Sequence, residues 1–292
     1  MSEAYAVING VRHWVRTVGD LRAATPLVVV HGGPGGFIYD FERLTGPDLE
    51  RHSPVVYYEQ RGSGRSDPPD DEQYSIPLLV DDLEELRRHL DLPRIVLLGI
   101  SFGGDLAAEY TVAHPDRVAE LILQGTGLTA RGAPSPWVSG FEAVATDKAL
   151  RTAIRAAQER SGPSSVWDVV DRKTTDRFLF HRPGVATLVR DLWERSGLVN
   201  MGAMDAALAA QPPRTRPLVD ELAEVDVAVL VLIGLWDRNA GVDGPRDLAT
   251  RLPRAELRVF EDSAHFPNVE ETTRYVGEVA RFLVERRIPR TR

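Results

Sequence analysis

No cysteine occurs anywhere in the 292 residues. That absence excludes a disulfide scaffold, a thiolate nucleophile, an iron–sulfur centre and a cysteine-based zinc site together. Lysine is nearly missing too: Lys148 and Lys173 are the only lysines among 35 basic residues, a bias we attribute to codon usage rather than to function. No run of Lys or Arg reads as a phosphate patch, and 43 acidic residues against 35 basic ones, a formal charge of -8, argue against non-specific nucleic-acid binding. The longest apolar run, Val227 to Trp236, contains Gly234 and is far too short for a bilayer span. The first residues, Met1 to Tyr5, carry neither the basic nor the apolar region of a secretion signal. The expectation is a cytoplasmic protein with no membrane or nucleic-acid partner. Its length is ample for a sizeable core and allows one large domain or two small ones.

What is present is an alternation of short β-branched runs with longer amphipathic stretches, the pattern of βαβ units around a mostly parallel sheet. Strands are predicted at Leu27–Val30, Val55–Glu59, Ile95–Gly99, Leu121–Gln124, Val227–Ile233 and Leu257–Phe260. Several are unbroken Val/Ile/Leu runs, as strands buried on both faces require. Tyr5–Ile8 and His13–Val18 read as an opening hairpin around Asn9-Gly10. Leu79, Leu83, Leu86 and Leu90 line one face of a helix, with Asp81, Asp82, Glu84 and Glu85 early and Arg87 and Arg88 late, as the macrodipole favours. Further helices are predicted over Phe102–His114 and Thr272–Arg287. Between Thr129 and Leu222 the rhythm breaks. That stretch shows helical patches interrupted by prolines, and Trp137, Trp167, Phe178, Phe180 and Trp193 within it need burial. It reads as a helical insertion into the α/β core.

The strongest chemical signal is Gly99-Ile-Ser101-Phe-Gly103-Gly104, directly after a predicted strand and directly before a helix. This is the nucleophile-elbow pattern in its strand–turn–helix context. A serine at the tip of so sharp a turn takes a strained backbone conformation, and glycines two residues away let strand and helix approach. A hydroxyl is a weak nucleophile, so it needs a base, and the base needs an orienting acid. Asp237 follows the apolar strand Val227–Ile233, and His265 lies on the loop after Leu257–Phe260, so both fall at the sheet edge where open α/β sheets bind ligands. Asp262 and Asp243 compete for the acid; the first is very close to His265 along the chain, and the second is expected to cap the helix near Gly244-Pro245. His31 and His114 compete for the base; His114 precedes Pro115 at a helix end and suits a structural role. Ser101, His265 and Asp237 are the preferred catalytic set.

His31-Gly-Gly33-Pro-Gly-Gly36 follows the first parallel strand. Its glycines let backbone N–H groups approach a developing oxyanion, so Gly33 and Phe102, the residue after the nucleophile, are the expected donors. A phosphate-cradling role is disfavoured, since the loop has neither the dinucleotide spacing nor the Lys-Ser/Thr of a P-loop. His31 is expected to brace this loop.

His31-Gly-Gly-Pro-Gly-Gly36, Glu59-Gln-Arg-Gly-Ser-Gly-Arg-Ser66, the elbow at Ser101 and Ala113-His-Pro-Asp-Arg-Val118 together resemble the proline iminopeptidase family of α/β-hydrolases. The resemblance covers roughly residues 25–125 and 225–285. It implies an α/β-hydrolase fold, with a mostly parallel sheet flanked by helices and an inserted helical cap, and a serine enzyme that removes an N-terminal aminoacyl group without metal or cofactor. It also implies a cap glutamate that binds the substrate's free α-amine, for which Glu194 is the best match. A second amine-binding acid is expected, with Asp205 and Glu221 both open. The resemblance extends to relatives that strip a protecting aminoacyl group from biosynthetic intermediates such as polyketide macrolactams. Three departures stand out: Glu59 where the family usually has Asp, Phe102 where it has Trp, and Ile100 where it has a small residue. The last two lie beside the reacting centre and bear on proline specificity, leaving the hydrolytic chemistry intact.

The sequence therefore predicts a core of residues 1–128 and 223–292 with a cap at 129–222. It predicts a serine hydrolase acting on a peptide or an amide-linked intermediate through an acyl-enzyme on Ser101. A carboxylesterase or lactonase without amine recognition is the alternative, and a non-catalytic binding protein on the same fold is a third reading.

Overall fold

The computed structural model describes the chain apart from residues 34, 70–73, 129–135, 162, 197, 199, 201, 204–205, 207–214 and 288–292. Asp205 therefore lies outside the described residues. Eight strands form one sheet: β1 (Ser2–Ile8), β2 (Val11–Val18), β3 (Leu27–Val30), β4 (Val55–Tyr58), β5 (Ile95–Ile100), β6 (Val118–Gln124), β7 (Ala228–Gly234) and β8 (Ala255–Phe260). Their order is β1-β2-β4-β3-β5-β6-β7-β8. Only the β1–β2 and β2–β4 pairings are antiparallel. The opening hairpin turns at Asn9 and Gly10, with φ of 46° and 79°, the two positive values that a turn matching strand twist demands.

The unbroken apolar strands have the predicted cause, since each face of the sheet meets its own layer of helices. Two short helices, α1 (Tyr39–Leu44) and α2 (Gly46–Leu49), precede β4; Val28, Val30, Leu97, Leu121, Leu123, Val229 and Val231 point to one face, against helices α3 (Ile76–His89) and α4 (Phe102–Ala113). Val29, Val96, Leu98, Ile122, Leu230 and Leu232 point to the other, against Tyr275, Val279 and Phe282 of the terminal helix Thr272–Arg287. Each such side chain, fully withdrawn from water, contributes about 1.5–3 kcal/mol.

Helix α3 begins earlier than the apolar stripe suggested. Ser75 caps it, its hydroxyl accepting from the Leu78 N–H at 3.3 Å, so the first turn carries no acid and Asp81 and Asp82 sit further in. The basic last turn stands as expected. Buried Glu84 accepts from both ends of the Arg87 guanidinium, at 2.8 and 2.7 Å, and from the Tyr110 hydroxyl of α4 at 2.7 Å. The Arg87 hydrogen bond, helped by Tyr110, holds the Glu84 carboxyl down to about 2. Because the folded value lies below the ordinary 4.5, this stabilisation is complete above pH 4.5 and is lost as pH falls toward 2. Glu84→Gln is expected to flatten the acid limb of the stability curve in that window, as read from denaturant midpoints at stepped pH. An unchanged acid limb would refute this role.

Between β6 and β7 the described elements are helical: α5 (Pro136–Val144), α6 (Lys148–Ser161), α7 (Arg172–Leu179) and α8 (Pro183–Ser196), then Leu218–Ala223. The aromatic residues of these helices build a cluster of their own. Phe141 stacks on Phe178 with centroids 3.8 Å apart, and Trp167 meets Phe141 edge-on at 4.9 Å. Leu218, Val219 and Leu222, by contrast, belong to the buried cluster that contains α4. Among the described residues no helix is long and apolar enough to cross a membrane.

Candidate active site

The turn from β5 into α4 carries Ser101 with φ 54° and ψ -125°. A left-handed conformation is costly for a non-glycine residue and persists where the surroundings impose it. Here the imposing contacts are backbone. A Cβ on Gly99 would lie 2.6 Å from the Gly104 Cα, and one on Gly103 would lie 2.5 Å from the His31 carbonyl oxygen. The two glycines thus let the α4 start pack onto β5 and the loop after β3, and Ser101 takes the strain. Its N–H donates to the Gln124 oxygen at the end of β6 at 2.8 Å. Its side chain is half-buried and makes no hydrogen bond among the described residues. The Phe102 N–H, the first of α4, has no acceptor within the helix, whereas that of Gly104 donates to the Ser101 oxygen at 2.8 Å. Gly33 is exposed on the facing loop with φ 122°.

Asp237 and His265 come together. His265 Nδ1 lies 2.9 Å from Asp237 Oδ2, and both side chains are buried. The other carboxylate oxygen, Oδ1, accepts from the N–H groups of Asn239 at 2.7 Å and Ala240 at 3.0 Å. The pair rests on Gly125: a Cβ there would meet His265 Cε1 at 3.0 Å and Asp237 Oδ2 at 3.5 Å. Gly125 follows Gln124, the residue holding the Ser101 N–H, so the end of β6 lies against the elbow after β5 on one side and the His265–Asp237 pair on the other. A carboxylate can only accept, which places the imidazole proton on Nδ1 and leaves Nε2 as the basic atom.

The competing residues fall elsewhere. His31 is buried with Nδ1 2.7 Å from the Gly32 oxygen, and its Nε2 accepts from the Gln60 N–H at 3.0 Å. Burial lowers its pKa, and it braces the glycine loop. His114 ends α4 and packs on Tyr110, with centroids 4.9 Å apart. Asp262 is exposed. Asp243 does not cap its helix: it is the first residue of Asp243–Arg251, makes no capping hydrogen bond and is fully exposed, because the chain enters through Val242 in helical geometry. Glu194 is exposed on α8, and its Oε1 pairs with Arg172 Nη1 at 2.7 Å. Glu221 lies on Leu218–Ala223.

Three polar side chains near the site gave no signal in the sequence. Glu270 is buried: Oε1 accepts from the N–H groups of His181 and Arg182 at 2.8 and 2.7 Å, and Oε2 from the Ala264 N–H at 2.7 Å. Burial raises its pKa against those three donors. It therefore ties the chain between α7 and α8 to the loop bearing His265, whose own N–H donates to the Leu179 oxygen at 3.0 Å. Asp40 accepts from Trp193 Nε1 at 3.0 Å, and burial raises its pKa as well. Asn239 Nδ2 sits 3.1 Å from His265 Nε2. Among the described residues no group of three or more His, Asp or Glu could hold a metal ion.

A strand–turn–helix elbow bearing serine, on a mostly parallel sheet with a His–Asp pair at the neighbouring strand ends, is the layout of the α/β-hydrolases. The chain belongs to this family: the family model for the alpha/beta hydrolase fold matches residues 25–272. It is 28% identical to a 2-hydroxymuconate semialdehyde hydrolase of Pseudomonas sp. (strain CF600), across 91% of this chain and 89% of that protein. It is 43% identical to a proline iminopeptidase of Lactiplantibacillus plantarum, over 42% of this chain and 44% of that one. Among solved structures, a proline iminopeptidase-related protein from Thermus thermophilus aligns with a TM-score of 0.75 at 23% identity, covering 99% of this chain and 98% of that one, a likeness of fold.

Proposed function

We propose that the chain is a serine hydrolase that works through an acyl-enzyme on Ser101, and that it removes an N-terminal aminoacyl group from a peptide or an amide-linked intermediate in the cytoplasm. The observation that carries the hydrolase reading is the 2.9 Å His265–Asp237 contact packed on Gly125, next to the Gln124 whose oxygen holds the N–H of a serine at φ 54°. Ser101 Oγ attacks the substrate carbonyl carbon while His265 Nε2 takes the hydroxyl proton, and Asp237 stabilises the resulting imidazolium. The carbonyl oxygen, now an oxyanion, is held by the N–H groups of Gly33 and Phe102. The tetrahedral intermediate collapses as His265 gives its proton to the leaving amine. Water then attacks the ester, with His265 again as base, and releases the acid. Residues 129–222 serve as a cap over a core of 1–128 and 223–292.

The aminoacyl specificity draws on the iminopeptidase motifs and on the 43% identity to the Lactiplantibacillus plantarum protein. A second reading, an esterase or lactonase that ignores the amine, is favoured by Glu194, whose carboxylate is exposed and already engaged by Arg172. The two readings part on a panel of aminoacyl amides and esters with free and N-acetylated amines. An aminoacyl-removing enzyme loses at least 100-fold in kcat/KM on acetylation, about 3 kcal/mol of lost amine recognition. Equal hydrolysis of both forms would leave the esterase reading. Hydrolysis of neither, in a folded sample, would overturn both.

A further inference from the structure

The atom that must accept the serine proton is already occupied. His265 Nδ1 faces Asp237 Oδ2, so Nε2 carries the lone pair, and the group 3.1 Å from it is Asn239 Nδ2. An atom facing a lone pair at that distance must donate, and the amide nitrogen can. Asn239 is not there by chance rotation of a free chain. Its own N–H is pinned to Asp237 Oδ1 at 2.7 Å, so the residue that orients the base also sets the backbone from which the amide reaches over the ring. Ser101 Oγ, meanwhile, makes no hydrogen bond among the described residues.

We propose that Asn239 is a positioning residue that caps Nε2 of His265 in the resting enzyme and must release it before Ser101 can be deprotonated. The inference rests on the serine-hydrolase reading above. Toward neutral imidazole the amide nitrogen donates to the Nε2 lone pair. The resting cap costs the serine its partner, and the substrate's arrival displaces it.

The groups that bear on this base come from several elements. Asp237 lies on the same turn as Asn239, and Arg238 sits between them. Glu270 reaches Ala264, next to His265. From the segment between β6 and β7, the His181 N–H donates to the same Glu270, and Arg177 and His181 line with Arg238 a cavity of about 190 Å³ that His265 does not line. None of these is altered by substitution at Asn239, and the backbone hydrogen bond to Asp237 survives it.

The test is the second-order rate of Ser101 labelling by a small fluorophosphonate across pH, in the full-length wild type, Asn239→Ala and Asn239→Asp, with Ser101→Ala as the blank and a thermal melt on each. Asn239→Ala, freed of the competing donor, labels about 3–10-fold faster, the worth of one neutral hydrogen bond. Asn239→Asp puts a second carboxylate on the imidazole and favours its charged form, so the acid limb of its labelling profile moves to higher pH by about one unit. A structural role alone would lower the melting temperature and the labelling rate together and leave the acid limb in place. Wild-type rates with an unmoved profile in both variants, or slower labelling in Asn239→Ala, overturn the proposal while the hydrolase reading stands. A wild type that does not label at all, although folded, overturns the hydrolase reading and this one with it.

Discussion

Ser101→Ala is expected to lower kcat on an activated ester by about 10⁵–10⁶-fold and to leave the melting temperature nearly unchanged. The first half follows from chemistry: without the hydroxyl no acyl-enzyme forms, and what remains is the acceleration by oxyanion donors and binding alone, roughly 10³–10⁴ over water. The second half follows from the turn. The φ of 54° is imposed by Gly99 and Gly103 packing against backbone, so alanine inherits the strain that serine already bears and adds none. The lost hydroxyl makes no hydrogen bond among the described residues, so nothing buried is orphaned. Activity of the variant within tenfold of wild type would show that the serine is not the nucleophile.

Asp237→Asn is expected to cost about 10⁴ in kcat with the pocket geometry kept. The local hydrogen bonds give the reason. Oδ1 is fixed by the Asn239 and Ala240 N–H groups at 2.7 and 3.0 Å, and these need an acceptor, so the carbamoyl oxygen of the variant must take that place. Its NH₂ is then forced toward His265 Nδ1. A donor there requires Nδ1 to be unprotonated, which moves the ring proton to Nε2 and leaves the imidazole unable to accept from Ser101. Raising the pH does not restore the lost base, so the deficit should persist across the alkaline range. A variant that regains wild-type turnover at high pH would contradict this account. Asp237→Ala, by contrast, would strand two backbone donors and confound chemistry with local unfolding.

How much of this was legible beforehand depended on whether the deciding forces were local. β3, β5 and β7 were found nearly to the residue because strands covered on both faces have no polar interruption. β6 and β8 begin earlier than predicted, at Val118 and Ala255, since Glu120 and Glu256 break the apolar run. The turn at Ser101 and the approach of His265 to Asp237 are legible in the sequence because each residue follows a strand. Glu194 shows the opposite case. Neighbours on a helix point about 100° apart, so once Trp193 is turned inward to Asp40, Glu194 is carried to the outside, where Arg172 meets it. Nothing in the local pattern said which of the two would face in. Glu270 and Asn239 could not be found at all, because their partners are set by tertiary approach across 88 and 26 residues of chain.

The Glu270 clamp sets a rule for anyone who would exchange the inserted segment between relatives. One carboxylate joins residues 181 and 182 to Ala264, and the Leu179 oxygen holds the His265 N–H. The stretch 179–182 is thus a pin shared by the helical segment between β6 and β7 and the loop bearing His265. A chimera spliced within 145–178 is expected to exchange helices of this segment and leave the His265–Asp237 contact in place. One that trades residues 179–182 is expected to loosen His265, however well its own helices fold.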